Sequence, residues 1–154
     1  MKYAEDASYW DTTVHPARSQ GEVTELLENF GASAVMVAQG KAGGRSAWLV
    51  RFQFLDRAYR FVFTPLPCRQ GGKMWTVGGK KLSGEERARY QMGRIAVYFV
   101  KAILTAAEMN LDALFGFVEL QHGGQVVTAA QLDVSGLVKA LPAIEIWPRL
   151  ESGE

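Results

Sequence analysis

Two runs decide the fold: AWLVRFQFL at residues 47–55 and AYRFVFT at residues 58–64. Apolar and polar residues alternate through both, the period-2 pattern of strands with one buried face. Only Asp56 and Arg57 separate them, so the runs read as a tight hairpin. Pairing Leu55 with Ala58 sets Phe52 opposite Phe61 and Phe54 opposite Tyr59 on an apolar face. Gln53 then meets Arg60 on the other face, beside Arg51. The rings of Phe52, Phe54, Tyr59, Phe61 and Phe63 are therefore expected in the core, with Arg51 and Arg60 turned to solvent and dispensable to it.

Towards the N-terminus, residues 32–39 are small, β-branched and apolar, which suits a third strand, and Gly40, Gly43 and Gly44 make the turn. Ser19 and Glu22 have capping-box spacing, and Val23, Leu26, Leu27 and Phe30 recur at helical intervals until Gly31. This predicts a helix over about residues 20–30. Residues 1–8 and 151–154 are expected to be loose.

Towards the C-terminus, Pro65 and Pro67 end the hairpin, since proline cannot donate to a ladder. Residues 68–84 then form a connection holding five glycines, Arg69, Lys73, Lys80, Lys81 and an isolated Trp75. It reads as a flexible basic loop, and loops of this length inside a domain are usually functional or disordered. Ser83 and Glu86 form a second capping box, opening a helix that reaches about Met109. Met92, Ala96, Phe99, Ile103 and Ala106 make its apolar stripe, and Arg87, Gln91, Arg94, Tyr98, Lys101 and Thr105 its polar one. Residues 116–120 and 125–127 flank His122-Gly123-Gly124 as a small hairpin. Thr128 with Gln131 caps a last helix reaching Leu141, and Pro142 and Pro148 bracket an extended strap at residues 144–147. The expected architecture is a single α+β domain over residues 1–154: helix, three-stranded antiparallel sheet, long helix, small hairpin and C-terminal helix. There is no internal repeat and no low-complexity tract.

Composition bounds the function. With 48% apolar and 21% charged residues the chain is an ordinary globular sequence, long enough to bury roughly two thirds of its unfolded surface without a cofactor. The single cysteine, Cys68, has no partner for an internal disulfide. No signal-peptide pattern opens the chain, and the longest apolar stretch, residues 95–107, is interrupted by Lys101 and falls short of the roughly 20 residues that span a bilayer. A cytoplasmic protein without membrane contact is expected.

The charge is unevenly placed. The 44 residues from 51 to 94 hold ten Lys/Arg against three acids, while the remaining 110 hold seven against thirteen. A net charge of +1 thus conceals a +7 segment on a −6 body. That segment also carries many of the aromatics, and basic plus aromatic is what single-stranded nucleic acid requires: cations for phosphates, flat rings for unstacked bases. The candidate binding residues are Arg51, Arg57, Arg60, Arg69, Lys73, Trp75, Lys80, Lys81, Arg87, Arg94 and Lys101. Arg87, Arg94 and Lys101 recur every seven residues and so line up along the helix. The run Gly78-Gly79-Lys80-Lys81-Leu82-Ser83 lacks the phosphate-loop spacing, though its amides beside a helix start offer an anion nest.

Enzyme chemistry has little support. His15 and His122 lie far apart, Cys68 has no CxxC or HxxxH neighbourhood, and no GxSxG occurs. The basic segment offers only Asp56, Glu85 and Glu86 as carboxylates, too few for a metal nuclease. The sequence therefore predicts a non-enzymatic protein with no metal and no cofactor.

Thr13-Val14, Ser19, Glu25-Leu26-Leu27, Phe30-Gly31-Ala32, Arg57-Ala58-Tyr59-Arg60-Phe61, residues 87–94 and Val100-Lys101-Ala102 together resemble a set of small uncharacterised proteins carried by bacterial phages and other mobile elements. The resemblance spans about residues 9–147. It implies a phage or mobile-element origin, which favours a part in DNA transactions, but no defined activity. Those proteins tend to have a charged segment before the long helix, where this chain has the Gly-rich residues 70–81. The element order also resembles the β-β-β-α core of single-strand annealing proteins and the order of double-stranded-RNA-binding domains, an analogy of topology alone. In the RNA-domain comparison Lys80-Lys81 fall before the capping Ser83, outside the helix. The expectation is a homo-oligomeric protein that binds or anneals single-stranded DNA, with RNA as a further possible partner, in recombination or replication. The alternative is an interaction module whose basic segment docks an acidic partner or another subunit.

Overall fold

The computed structural model describes residues 1–42 and 44–132. Helix α1 (Pro16–Phe30) leads into a three-stranded antiparallel sheet, β1 (Ser33–Ala42), β2 (Arg45–Phe54) and β3 (Arg57–Phe63), in that spatial order. A short hairpin follows, β4 (Met74–Val77) with β5 (Lys80–Ser83), then the long helix α2 (Gly84–Met109). A 3₁₀ segment, Leu111–Phe117, connects to a second hairpin, β6 (Glu119–His122) with β7 (Gln125–Thr128). The α+β architecture read from the sequence is the one observed. The C-terminal helix after Gln131 and the strap at 144–147 lie outside the described residues.

Several local expectations are corrected. Helix α1 starts four residues early, at Pro16, because proline presets the helical φ and lacks only an N–H that would be orphaned there. His15 caps it, its Nδ1 accepting from the Ala17 N–H at 3.0 Å. Ser19 is therefore no cap but a fully buried residue inside the helix. Gly31 ends α1 as expected, at φ +105°, where a side chain would be strained.

In the β2–β3 hairpin the turn is Leu55-Asp56, both left-handed at φ +48° and +60°. Phe54 consequently pairs with Arg57, Phe52 with Tyr59, Val50 with Phe61 and Arg51 with Arg60, two residues from the expected register. Because strand side chains alternate with period two, an even slip leaves both faces unchanged. Phe52 and Phe61 are buried at 0% and 2% exposure. Phe61 sits among Phe52, Phe63, Phe99 and Phe117 with centroids 4.8–6.1 Å apart.

The core joins Val23 and Leu27 of α1, Val50, Phe52 and Phe61 of the sheet, and Val97, Val100 and Leu104 of α2, with Leu114 and Val118 closing one end. Of the expected stripe of α2, Met92 and Ala96 are buried and Phe99 and Ile103 pack against the core, but the buried arc is wider and extends to Val97, Val100, Leu104 and Ala107, whereas Ala106 is exposed. The expected polar stripe is itself half covered. Gln91 is fully buried and Arg87 is 8% exposed.

What covers Gln91 is the segment expected to be loose. Ala4 is fully buried, its N–H donates to the Pro67 carbonyl at 2.9 Å, and residues 4–6 form a 3₁₀ turn. The Gln91 amide donates to the carbonyls of Ala4, Ala7 and Ser8 at 2.9, 3.3 and 2.9 Å.

Candidate nucleic-acid interface

The eleven residues singled out by charge and aromaticity do not form one surface. Arg51 and Arg60 stand directly opposite each other on the outer sheet face, a like-charge pair that is unfavourable unless neutralised. The second hairpin supplies the partners. Arg51 donates to both Glu119 carboxylate oxygens at 2.8 and 2.9 Å, a bidentate bond that raises the guanidinium pKa. Arg60 donates to the Val126 carbonyl and the Gln131 Oε1 at 3.1 and 3.2 Å.

The heptad row Arg87, Arg94, Lys101 is corrected in the same way. Arg87 lies against the Trp10 ring at 4.4 Å, donates to the Trp10 carbonyl at 3.0 Å and pairs with Asp11 at 3.1 Å. Arg94 reaches across to α1, bonding Glu22 at 3.0 Å and the Ser19 hydroxyl at 3.4 Å. Of the three, only Lys101 is exposed. Arg69 forks onto Asp6 and covers the Tyr3 ring at 4.6 Å. Trp75 is no mobile loop residue: it belongs to β4, is half-buried, and meets Trp10 edge-on at 6.2 Å with the Lys73 ammonium 4.1 Å above its ring. Lys80 and Lys81 are exposed on β5, and Arg57 begins β3.

The flexible loop expected at 68–84 is thus largely a hairpin, turned at Gly78-Gly79, φ +57° and +80°. The expected anion nest at the start of α2 is also filled from within. The N–H groups of Gly84, Glu85 and Glu86 donate to the Lys73 carbonyl, the Gly71 carbonyl and the Ser83 hydroxyl.

The packing of residues 70–72 on the start of α2 is close. A Cβ on Gly84 would meet the Gln70 carbonyl at 2.5 Å. This contact leaves a cleft of about 570 Å³ between the open end of the β1–β2 pair, the segment from Pro65 to Gly72, and the first turns of α2. Lys41, Arg45 and Arg89 line it, with Glu85 as the one carboxylate. Among the described residues no ion pair engages these three cations. Arg45 donates to the Pro65 carbonyl, a neutral acceptor. Ser46 adds a hydroxyl. Cys68, also in the lining, donates to the Gly84 carbonyl at 3.3 Å, and burial followed by the nearby Glu5 and Glu85 pushes its thiol pKa up. A raised thiol pKa disfavours the thiolate.

Sequence counting missed these three cations because Lys41 and Arg45 precede the basic segment and Arg89 falls off the heptad row. The available signal was the pairing of Lys41 with Ser46 and Ala42 with Arg45 across the glycine turn, which sets the two cations at one sheet end. Exposed aromatics were missed too. Tyr9 and Tyr98 stack in parallel at 4.9 Å, 42% and 47% exposed. Among the described residues no group of three or more His, Cys, Asp or Glu is placed to hold a metal, and no helix is long and apolar enough to cross a membrane. Comparisons with protein-family models, with curated proteins and with solved structures found no match.

Proposed function

We propose that the chain binds single-stranded nucleic acid, with DNA as its partner in recombination or replication, without catalysing a reaction. The observation that carries this reading is the cleft: three cations, none of them ion-paired among the described residues, and one carboxylate. A cation left without an acid inside a recess is an arrangement suited to a phosphate, and several together suit a chain of phosphates. Lys73, Lys80, Lys81 and Lys101 extend the positive field over exposed surface. The recess favours a bare strand, because a duplex is gripped by an element that protrudes into its groove. The stacked Tyr9 and Tyr98 offer a flat platform of the kind on which unstacked bases settle.

The test is a fluorescence polarisation titration with single- and double-stranded oligonucleotides over a range of salt. Single strands are expected to bind more tightly. The triple substitution Lys41→Ala, Arg45→Ala, Arg89→Ala is expected to remove most of the affinity and flatten the salt slope by about 0.7 per lost phosphate contact. Equal affinity for heparin, or a triple variant that binds as the parent does, overturns the reading and favours an acidic protein as the partner.

A further inference from the structure

Strand β1 is unlike its neighbours in the sheet. β2 buries Ala47, Trp48, Val50 and Phe52, and β3 buries Tyr59 and Phe61, whereas no described residue of β1 is buried. The order β1-β2-β3 leaves two outer edges. The β3 edge meets the second hairpin: Val118 bridges Tyr59, Glu119 holds Arg51 and the Val126 carbonyl holds Arg60. The β1 edge is open. Among the described residues no backbone hydrogen bond outside the β1–β2 ladder engages residues 33–42, so the outward N–H and C=O groups of the strand offer a template for another strand.

Such edges are ordinarily blunted by charge, proline or a bulge. β1 has a bulge only at its start, where the register shifts between Ser33 and Met36 and Ala34 is left-handed at φ +49°. Residues 36–42 then pair regularly with β2, without proline and, up to Gly40, without charge.

The side chains select what fits this edge. A two-fold axis perpendicular to the sheet sets one residue against its own copy, because only an even register keeps both inner faces on the same side. With the axis at Val37 or at Ala38, Met36, which is 45% exposed, meets Ala38 or Gly40 of the second copy, a large residue against a small one. Lys41, the one charged residue of β1, then meets Ser33 or Val35. Both follow closely on α1, whose last turn has no basic residue. Glu25 and Glu28 of α1 are exposed and, among the described residues, in no ion pair. An ammonium group arriving there complements the carboxylates and the negative end of the helix. Parallel pairing in register would instead set Lys41 beside Lys41.

We propose that the β1 edge takes a second copy of this chain, the two strands pairing antiparallel through residues 36–40 to make one six-stranded sheet. A ladder this short buries less than the roughly 1,600 Å² of a standard interface, so the dimer forms and separates with concentration. The proposal stands apart from the nucleic-acid reading. The two share Lys41, on which a phosphate in the cleft and the second copy's helix end both draw.

The test is sedimentation velocity of the whole chain over a range of concentration, with hydrogen exchange of residues 36–40 measured over the same range. The dimer fraction and the protection of those amides are expected to rise together. Ala38→Lys sets two like charges opposite or diagonal across the axis and is expected to weaken association about tenfold or more. An equal mixture of Ala38→Lys and Ala38→Glu is expected to restore the dimer, a rescue that misfolded variants would not give. Val62→Lys, on the same sheet face but on β3, is expected to associate as the parent does. A parent that stays monomeric, or edge amides equally protected at every concentration, overturns the proposal, the latter by showing the edge covered within one chain. Should Ala38→Lys associate like the parent, Val62→Lys fail as badly as Ala38→Lys, or the mixture stay monomeric, the interface lies elsewhere and the proposal falls.

Discussion

At the residue scale, Gln91 shows how a polar side chain can organise a fold from inside. It is fully buried, and its amide group is surrounded by three carbonyls of the N-terminal segment. Replacing it with leucine preserves bulk and removes the donor, leaving buried carbonyls unpaired at about 1 to 3 kcal/mol each for those that stay dry. Gln91→Leu is expected to lower stability by about 2 to 3 kcal/mol and to make residues 1–12 the first site of proteolysis, read by denaturant unfolding and by limited digestion. Arg87 works beside it in another way. Its Asp11 partner is almost fully exposed, so what Arg87 contributes lies in its bond to the Trp10 carbonyl and its place over the Trp10 ring rather than in the ion pair. Neither role was legible in the sequence, because on a helical wheel both residues sit on the polar side. The wheel records polarity and not whether water is there.

At the element scale, α1 and α2 cross where Ser19 meets Gly93. A Cβ on Gly93 would lie 2.9 Å from the Ser19 Cβ and 3.1 Å from the Trp48 ring. Intrinsic helix propensity favours alanine over glycine by about 1 kcal/mol, but the crossing has no room for it. Gly93→Ala is expected to destabilise the protein by about 1 to 3 kcal/mol in a thermal or denaturant melt. A stabilised variant would mean that the helices separate at little cost. The elements themselves were readable because each is locally punctuated: Gly31 stops α1, Ser83 and Glu86 box the start of α2, and Gly123-Gly124 turn the last hairpin. The start of α1 was misread because Ser19 and Glu22 carry a genuine capping pattern, while the competing signal, His15-Pro16, caps through a histidine ring. The β2–β3 register slipped by two because Leu55 and Asp56 occupy turn positions that sequence rules reserve for asparagine and glycine.

At the scale of the whole molecule, the uneven charge was legible in the sequence but its use was not. Among the described residues, ion pairs Arg51–Glu119, Arg69–Asp6, Arg87–Asp11 and Arg94–Glu22 join the basic segment to acids outside it. Much of the +7 against −6 contrast is therefore spent on holding distant parts together, and pairing of this kind is tertiary information that no window along the chain contains. Glu5 extends the pattern. Burial raises its carboxyl pKa, but the N–H groups of Glu5, Gln70 and Arg69 outweigh this and hold it below the ordinary value of 4.5. A carboxylate depressed on folding stabilises the native state above its unfolded pKa, and that contribution fades as the pH falls through the folded one. Acidification below about pH 4.5 is thus expected to weaken the grip of the N-terminal segment on the 69–70 backbone. Melting temperatures of the parent and Glu5→Gln, measured at neutral pH and near pH 3, check this: the parent should lead at neutral pH, and the gap should narrow in acid.

The Ala4–Gln91 contact spans 87 positions, which gives the molecule a timetable during synthesis. At ribosomal speeds of about 5 to 20 residues per second, residues 4–8 wait about 4 to 17 seconds before the residue that anchors them has been made. During that interval the hydrophobic Ala4, Trp10 and Tyr9 are uncovered. Residues 4–8 are thus made well before the side chain that holds them, and stay unanchored until the first half of the long helix has been made.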